Sequence, residues 1–149
     1  MYQFANGFVA DNGFHLNGDF KNYGYTTSHY RPFTLESSFG YCDALQEMLM
    51  QEHQGYVCVF PAVPDKWKDK KISFTNLRSY GGVLVSAKWE GDLKEIVLRS
   101  GKNQTIRLKN TFADSKVIMQ TKTGQKTIQD KDGYFTLSLS KGIVKLFAQ

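Results

Sequence analysis

Glu36 is the side chain in this sequence best placed to do chemistry. It stands just ahead of a stretch with helical spacing of apolar residues, so its carboxylate faces the positive end of a helix dipole and unpaired backbone N–H groups. Both favour the ionised form, which suits a base that activates water better than an acid. A carboxylate at a helix start also has a purely structural use, as a partner for the dipole. A second polar set lies in Phe14-His15-Leu16-Asn17-Gly18-Asp19, where His15, Asn17 and Asp19 offer hydrogen bonds to a hydroxyl-rich substrate. Asn-Gly-Asp is equally plain turn chemistry. Tyr30 and Arg31 could line the same pocket, because Pro32 holds Arg31 extended a few residues from Glu36. An Arg31–Glu36 ion pair is the competing reading. Trp67, after Pro64-Asp65-Lys66, offers a ring that could stack on a ligand.

The elements that must position these residues are set by periodicity. Ala44, Leu45, Met48 and Leu49 recur at helical spacing, Ser37 or Ser38 can cap the first turn, and Gly55 suits a left-handed residue after the helix. The spacing predicts a helix from about Ser38 to His53, with its apolar face packed on a β-domain. Beyond it, β-branched and aromatic residues alternate between turn signals. Strands are expected at Tyr56–Phe60, Ile72–Leu77, Val83–Trp89, Leu93–Ser100, Gln104–Leu108, Lys116–Gln120, Thr127–Gln129, Tyr134–Leu139 and Ile143–Phe147. Their short spacing is that of an antiparallel β-sandwich. Residues 1–36 read as irregular, with Gly7, Gly13, Gly18 and Gly24 among Asn6, Asn12, Asn17 and Asn22. Eleven of the chain's 21 aromatic residues fall before residue 55. Such an aromatic loop is either the floor of a binding site or core material awaiting a partner. The fold class is thus mainly β, an antiparallel sandwich preceded by an aromatic-rich loop region and one α-helix.

A length of 149 residues and 41% apolar content suffice for a proper core. No apolar run approaches the roughly 20 residues needed to span a bilayer, and Met1-Tyr-Gln-Phe-Ala-Asn-Gly lacks the basic and apolar regions of a signal peptide. Cys42 and Cys58 are too few for a disulfide scaffold and are both expected as small buried hydrophobes. His15, His29 and His53 have no companions at ligand spacing, so neither a metal nor another cofactor is expected. Residues 1–54 carry a net charge of −4, leaving +9 on the remainder of a chain whose total is +5. The excess is mostly lysine spread through strand-like sequence, without an arginine-rich helix or a glycine-rich phosphate loop. It reads as a solvated face protecting sheet edges, with no nucleic-acid partner expected.

Pro32-Phe33, Glu36, Phe39-Gly40, Glu47-Met48-Leu49, Gln51, His53, Gly55, Pro61-Ala62-Val63-Pro64 and Trp67, with Gly81-Gly82 further on, form a long ordered set. This order resembles the end of the catalytic region in glycoside hydrolase family 95, the α-L-fucosidases and their relatives. The resemblance implies that residues 1–54 are the loop region and last helix of a truncated (α/α)6 barrel, and residues 55–149 a C-terminal β-sandwich domain. It implies inversion, in which one carboxylate activates water and a second carboxyl, roughly 6.5–9.5 Å away, protonates the leaving oxygen. Glu36 falls where the family usually has an aspartate assigned as that base. Glutamate is longer by one methylene, and Ser37-Ser38 stand where Gly-Asn is common. The acid comes from an earlier barrel helix in the family, whereas residues 1–30 offer Asp11 and Asp19 on loops. The chain alone is therefore expected to be inactive, with a glycan and the upstream barrel domain as its partners. Trp67 becomes a wedge between β-domain and barrel. Relatives are often exported. Two rivals stand beside this reading: a carbohydrate-binding β-sandwich module using Trp67 or Trp89 as a platform, and a structural subunit completing a separately encoded barrel.

Overall fold

The computed structural model describes residues 6–10, 18–19, 21–27, 35–112 and 115–148. The chain divides into two compact units, Met1–Gln46 and Glu47–Gln149. A helix, α1 (Leu35–Leu49), runs from the first unit into the second. It is followed by ten strands: β1 (Met50–Gln51), β2 (Cys58–Val59), β3 (Ile72–Arg78), β4 (Leu84–Glu90), β5 (Leu93–Ser100), β6 (Gln104–Lys109), β7 (Val117–Thr121), β8 (Gly124–Ile128), β9 (Tyr134–Leu139) and β10 (Gly142–Ala148).

Alternation explains the layers of the second unit. In β9 the side chains of Phe135, Leu137 and Leu139 are buried while Thr136 and Ser138 are exposed, and in β6 Ile106 and Leu108 alternate with Thr105, Arg107 and Lys109. Period-two burial of this kind leaves one face for a core and one for water. Six strands form an antiparallel sheet in the order β3-β4-β5-β10-β7-β8. The two-stranded sheet β6–β9 and the β1–β2 hairpin are joined through Val57, whose N–H donates to the Arg107 carbonyl and whose carbonyl accepts from the Lys109 N–H, each at 2.8 Å. Val57, Val59, Leu108 and Phe135 of this layer share one core with Val85, Ile96, Leu98, Val144 and Leu146 of the large sheet. The unit is thus the expected antiparallel sandwich.

Phe60 closes one end. Its backbone is left-handed at φ +56°, unusual for a bulky residue, and its N–H donates to the Leu49 carbonyl at 2.7 Å. The ring then meets Phe74 edge-on at 5.5 Å and Trp89 at 5.9 Å, so aromatic packing offsets the backbone strain.

Four expectations change. The helix occupies Leu35–Leu49 rather than Ser38–His53, because Met50 leaves it to pair with Val59 across the β1–β2 hairpin. Gly55 is indeed left-handed, at φ +76°, but it serves the connection between those strands. The sequence predicts Ala44, Leu45, Met48 and Leu49 as a buried face; no residue of α1 is buried, and Leu49 packs against the sandwich core. Cys42 is exposed on α1, where the sequence had placed a buried thiol.

Cys58 is buried as expected, and burial pushes its thiol up, with the Lys109 ammonium pulling it partly back. An aromatic disulfide reagent at neutral pH should therefore label Cys42 quickly and Cys58 only as the sandwich unfolds. Two equally fast thiols in the native protein would contradict the burial of Cys58.

Candidate functional site

Glu36 lies in the first turn of α1 and is exposed. Four N–H groups in the opening turn of any helix lack intrahelical acceptors, so this carboxylate stands in a field that favours negative charge. Ser37 and Ser38, expected as caps, are inside the helix rather than ahead of it. The residue that could accept protons is thus at a helix mouth and open to water.

Asp19 is placed differently. Its side chain is buried, and its two carboxylate oxygens accept the N–H groups of Tyr23 at 3.0 Å and Tyr25 at 2.9 Å. Its carbonyl accepts from Asn22 at 3.3 Å, where the backbone is left-handed at φ +55°. Asn tolerates that conformation and Asp binds backbone N–H groups ahead of it, which is why Asn22, Tyr23 and Tyr25 gather on Asp19. The turn sets the Tyr23 and Tyr25 rings edge to face at 5.9 Å, with Phe8 stacked on Tyr25 at 6.2 Å. Tyr23 is more than half exposed. His15, Asn17, Tyr30 and Arg31 lie outside the described residues.

In the second unit, Trp67 ends a short 3₁₀ turn that begins after Pro64 and is about one-third exposed. Its N–H donates to the Pro64 carbonyl at 2.9 Å, and the neighbouring Lys68 hydrogen-bonds and attracts Asp65, holding that carboxyl below its usual range. Trp89 is occupied: its indole N–H donates to the Gly91 carbonyl at 2.7 Å, and the Lys94 ammonium sits 4.4 Å from its ring. Lys94 in turn donates to the Thr111 carbonyl at 2.6 Å, and burial pushes its amine down. Of the two tryptophans proposed as platforms, Trp67 is the open one.

One exposed aromatic escaped the sequence reading. Tyr80 rides on the turn between β3 and β4, next to Gly81 at φ +64° and Gly82 at φ +76°. The glycine pair was visible in the sequence, but the ring it presents is identified only by its exposure. Among the described residues, no three His, Cys, Asp or Glu side chains cluster as metal ligands would. Nor is any described helix long and apolar enough to cross a membrane.

Residues 51–144 match the family described as glycoside hydrolase family 95, C-terminal domain. The match begins within β1 and ends within β10, so it covers the sandwich. A curated relative, "Alpha-L-fucosidase 2" of Arabidopsis thaliana, is 42% identical over 71 residues, which is 46% of this chain and 8% of the relative. The chain therefore spans only a small part of that relative's length.

Proposed function

The chain belongs to glycoside hydrolase family 95 through that family's C-terminal domain, and from this premise we propose that it is the β-sandwich portion of a hydrolase removing α-linked L-fucose or a similar sugar from glycans. Residues 1–54 are, in this reading, the loop region and last helix of the (α/α)6 catalytic domain, and residues 55–149 the sandwich that comes after it. The observation that carries the proposal is the family match over almost the whole sandwich, supported by the likeness to a protein named as an α-L-fucosidase.

The chemistry then divides between two parts. Glu36, at the mouth of α1, is the base that deprotonates the attacking water. Its partner acid, held roughly 6.5–9.5 Å away in an inverting enzyme, comes from a helical domain supplied elsewhere, on the same polypeptide or another. Asp19 fixes the turn that carries Tyr23 and Tyr25. His15, Asn17, Tyr30 and Arg31 serve as sugar contacts, and Trp67 as a contact at the domain junction. Without the acid and the walls that exclude water, the isolated chain is inactive.

Co-expression with the helical domain of a family member tests this directly. Hydrolysis of an aryl α-L-fucoside that requires both chains supports the proposal. A helical domain that is neither bound nor activated by the chain argues for an independent binding module instead.

A further inference from the structure

The basic excess of residues 55–149 is not spread evenly over the sandwich. Four connections, β3–β4, β5–β6, β7–β8 and β9–β10, emerge at one end, because the strands around them are antiparallel. Counted with one flanking strand residue on each side, they carry Arg78, Lys102, Lys122 and Lys141 and no carboxylate. The connections at the opposite end, counted the same way, carry seven cations and seven carboxylates. Ion pairs such as Lys68–Asp65, Lys70–Asp69 and Lys88–Glu90 form there or beside it. One end is electrically balanced, and the other is a net cationic rim in which these four cations face one carboxylate, Glu52 of the β1–β2 connection, held on the Tyr80 N–H.

That rim also holds a fixed aromatic ring. The Tyr80 N–H donates to the Glu52 carboxylate at 3.0 Å, the Gly82 N–H to the Ser79 carbonyl at 3.1 Å, and the Ser79 N–H to the Val83 carbonyl at 2.7 Å. The Gln104 amide reaches the Gly81 carbonyl at 3.4 Å and the Ser100 hydroxyl at 2.7 Å. These bonds anchor the backbone of a turn whose tyrosine is 51% exposed, so the ring rides on a held turn rather than a loose loop. The Asn103 side chain accepts the Lys141 N–H at 3.3 Å, tying the β5–β6 and β9–β10 connections together. Beyond them, a groove is lined by Thr121, Lys122, Thr123, Ser138, Ser140 and Lys141, again without a carboxylate.

We propose that this end of the sandwich binds an oligosaccharide bearing carboxylate or sulfate groups, with the Tyr80 ring against a pyranose and Arg78, Lys102, Lys122 and Lys141 facing its anions. The inference rests on reading the chain as part of a glycan-processing protein, and it adds a site remote in sequence from Glu36. Hydroxyl-rich walls and one open ring match a sugar chain better than a run of bases, which would need successive stacking rings. Three strand spacings of about 4.8 Å separate β4 from β7, roughly 14 Å, so the surface suits several sugar units rather than one. Exposed cations each contribute little in water, but a multiply charged ligand meets them together.

Calorimetric titration of the purified chain with oligogalacturonides, sulfated dextran oligomers, neutral maltohexaose and a mixed-sequence oligonucleotide tests the proposal. Binding is expected to one or both anionic sugars, weakening as salt rises, and not to maltohexaose; the carboxylate and sulfate probes tell the two sources apart. Tyr80→Ala, and separately the pair Lys122→Ala with Lys141→Ala, should each weaken binding about tenfold. Lys68→Ala with Lys70→Ala, at the mixed end, should leave it unchanged. No binding to either anionic sugar, equal losses in the control pair, or tighter binding of the oligonucleotide overturns the proposal. None of these readings requires hydrolysis, so failure here leaves the catalytic reading standing, and failure of the catalytic reading leaves this binding intact.

Discussion

Leu146→Ala lowers the unfolding free energy of the sandwich by about 3–4 kcal/mol, the middle of the range for deleting a buried leucine side chain. β10 is an interior strand of the large sheet, pairing with β5 on one side and β7 on the other. Leu146 is fully buried on it, directly opposite Ile96 and Met119. Neighbours on both sides are held by ladder hydrogen bonds, so the space left by the removed methyls cannot close, and the cavity adds to the lost transfer energy. A domain of this size is stable by only about 5–15 kcal/mol, so the substitution removes a large share. Urea unfolding followed by the fluorescence of Trp67 and Trp89 measures it. Ile143→Ala on the same strand, where the side chain is 44% exposed, should cost less than about 0.5 kcal/mol. Similar losses at both positions would mean that the inward and outward faces of β10 are not distinct.

Glu36→Gln should reduce turnover by about 10²–10⁴-fold once the chain is combined with a family helical domain, the usual contribution of a general base. Glutamine keeps the size and hydrogen-bonding reach of the side chain and removes its ability to accept a proton. The loss should therefore appear in kcat with little change in KM. Glu36→Asp, which keeps the carboxylate on a side chain one methylene shorter, should retain most of the activity or raise it. The structural alternative makes different demands. A carboxylate that only complements the helix dipole would give a slightly less stable protein with undiminished turnover, and melting curves beside the rates separate the two.

Much of the sandwich could be read from the sequence, and the reason is local. β5 and β9 alternate cleanly between turn signals, and their observed limits, Leu93–Ser100 and Tyr134–Leu139, are those expected. The sequence predicts β8 at Thr127–Gln129, because Thr123-Gly124 has the composition of a turn. Instead, Gly124 pairs with Thr121 across a tight hairpin and begins the strand. β1 was hidden because Met50 continues the apolar pattern of Met48 and Leu49, so nothing in the spacing marks where α1 stops. The decision belongs to Val59, which lies far enough along the chain that only the folded hairpin reveals the pairing.

The candidate sites differ in the same way. Glu36 near a helix start depends on neighbours within one turn, which the sequence shows, although the helix begins at Leu35 and takes in Glu36 instead of following it. The cationic rim depends on residues 78, 102, 122 and 141, which become neighbours only through the sheet order. Spread along the sequence, those side chains look like a solvated lysine face; sorted by the fold, they stand on four connections at one end that carry no carboxylate of their own. Trp89 shows the converse, since a large ring in a strand reads as a platform until Phe60 and Lys94 are seen against it.

Hydrolysis of aryl α-L-fucoside and of α- and β-galactosides by the purified chain, beside its Glu36→Gln variant, is the most direct measurement. A sandwich domain that depends on a separate helical domain for its acid gives no turnover with either protein. Turnover by the unmodified chain that Glu36→Gln abolishes would instead place a complete catalytic site within these 149 residues, and would contradict the division of labour proposed for them.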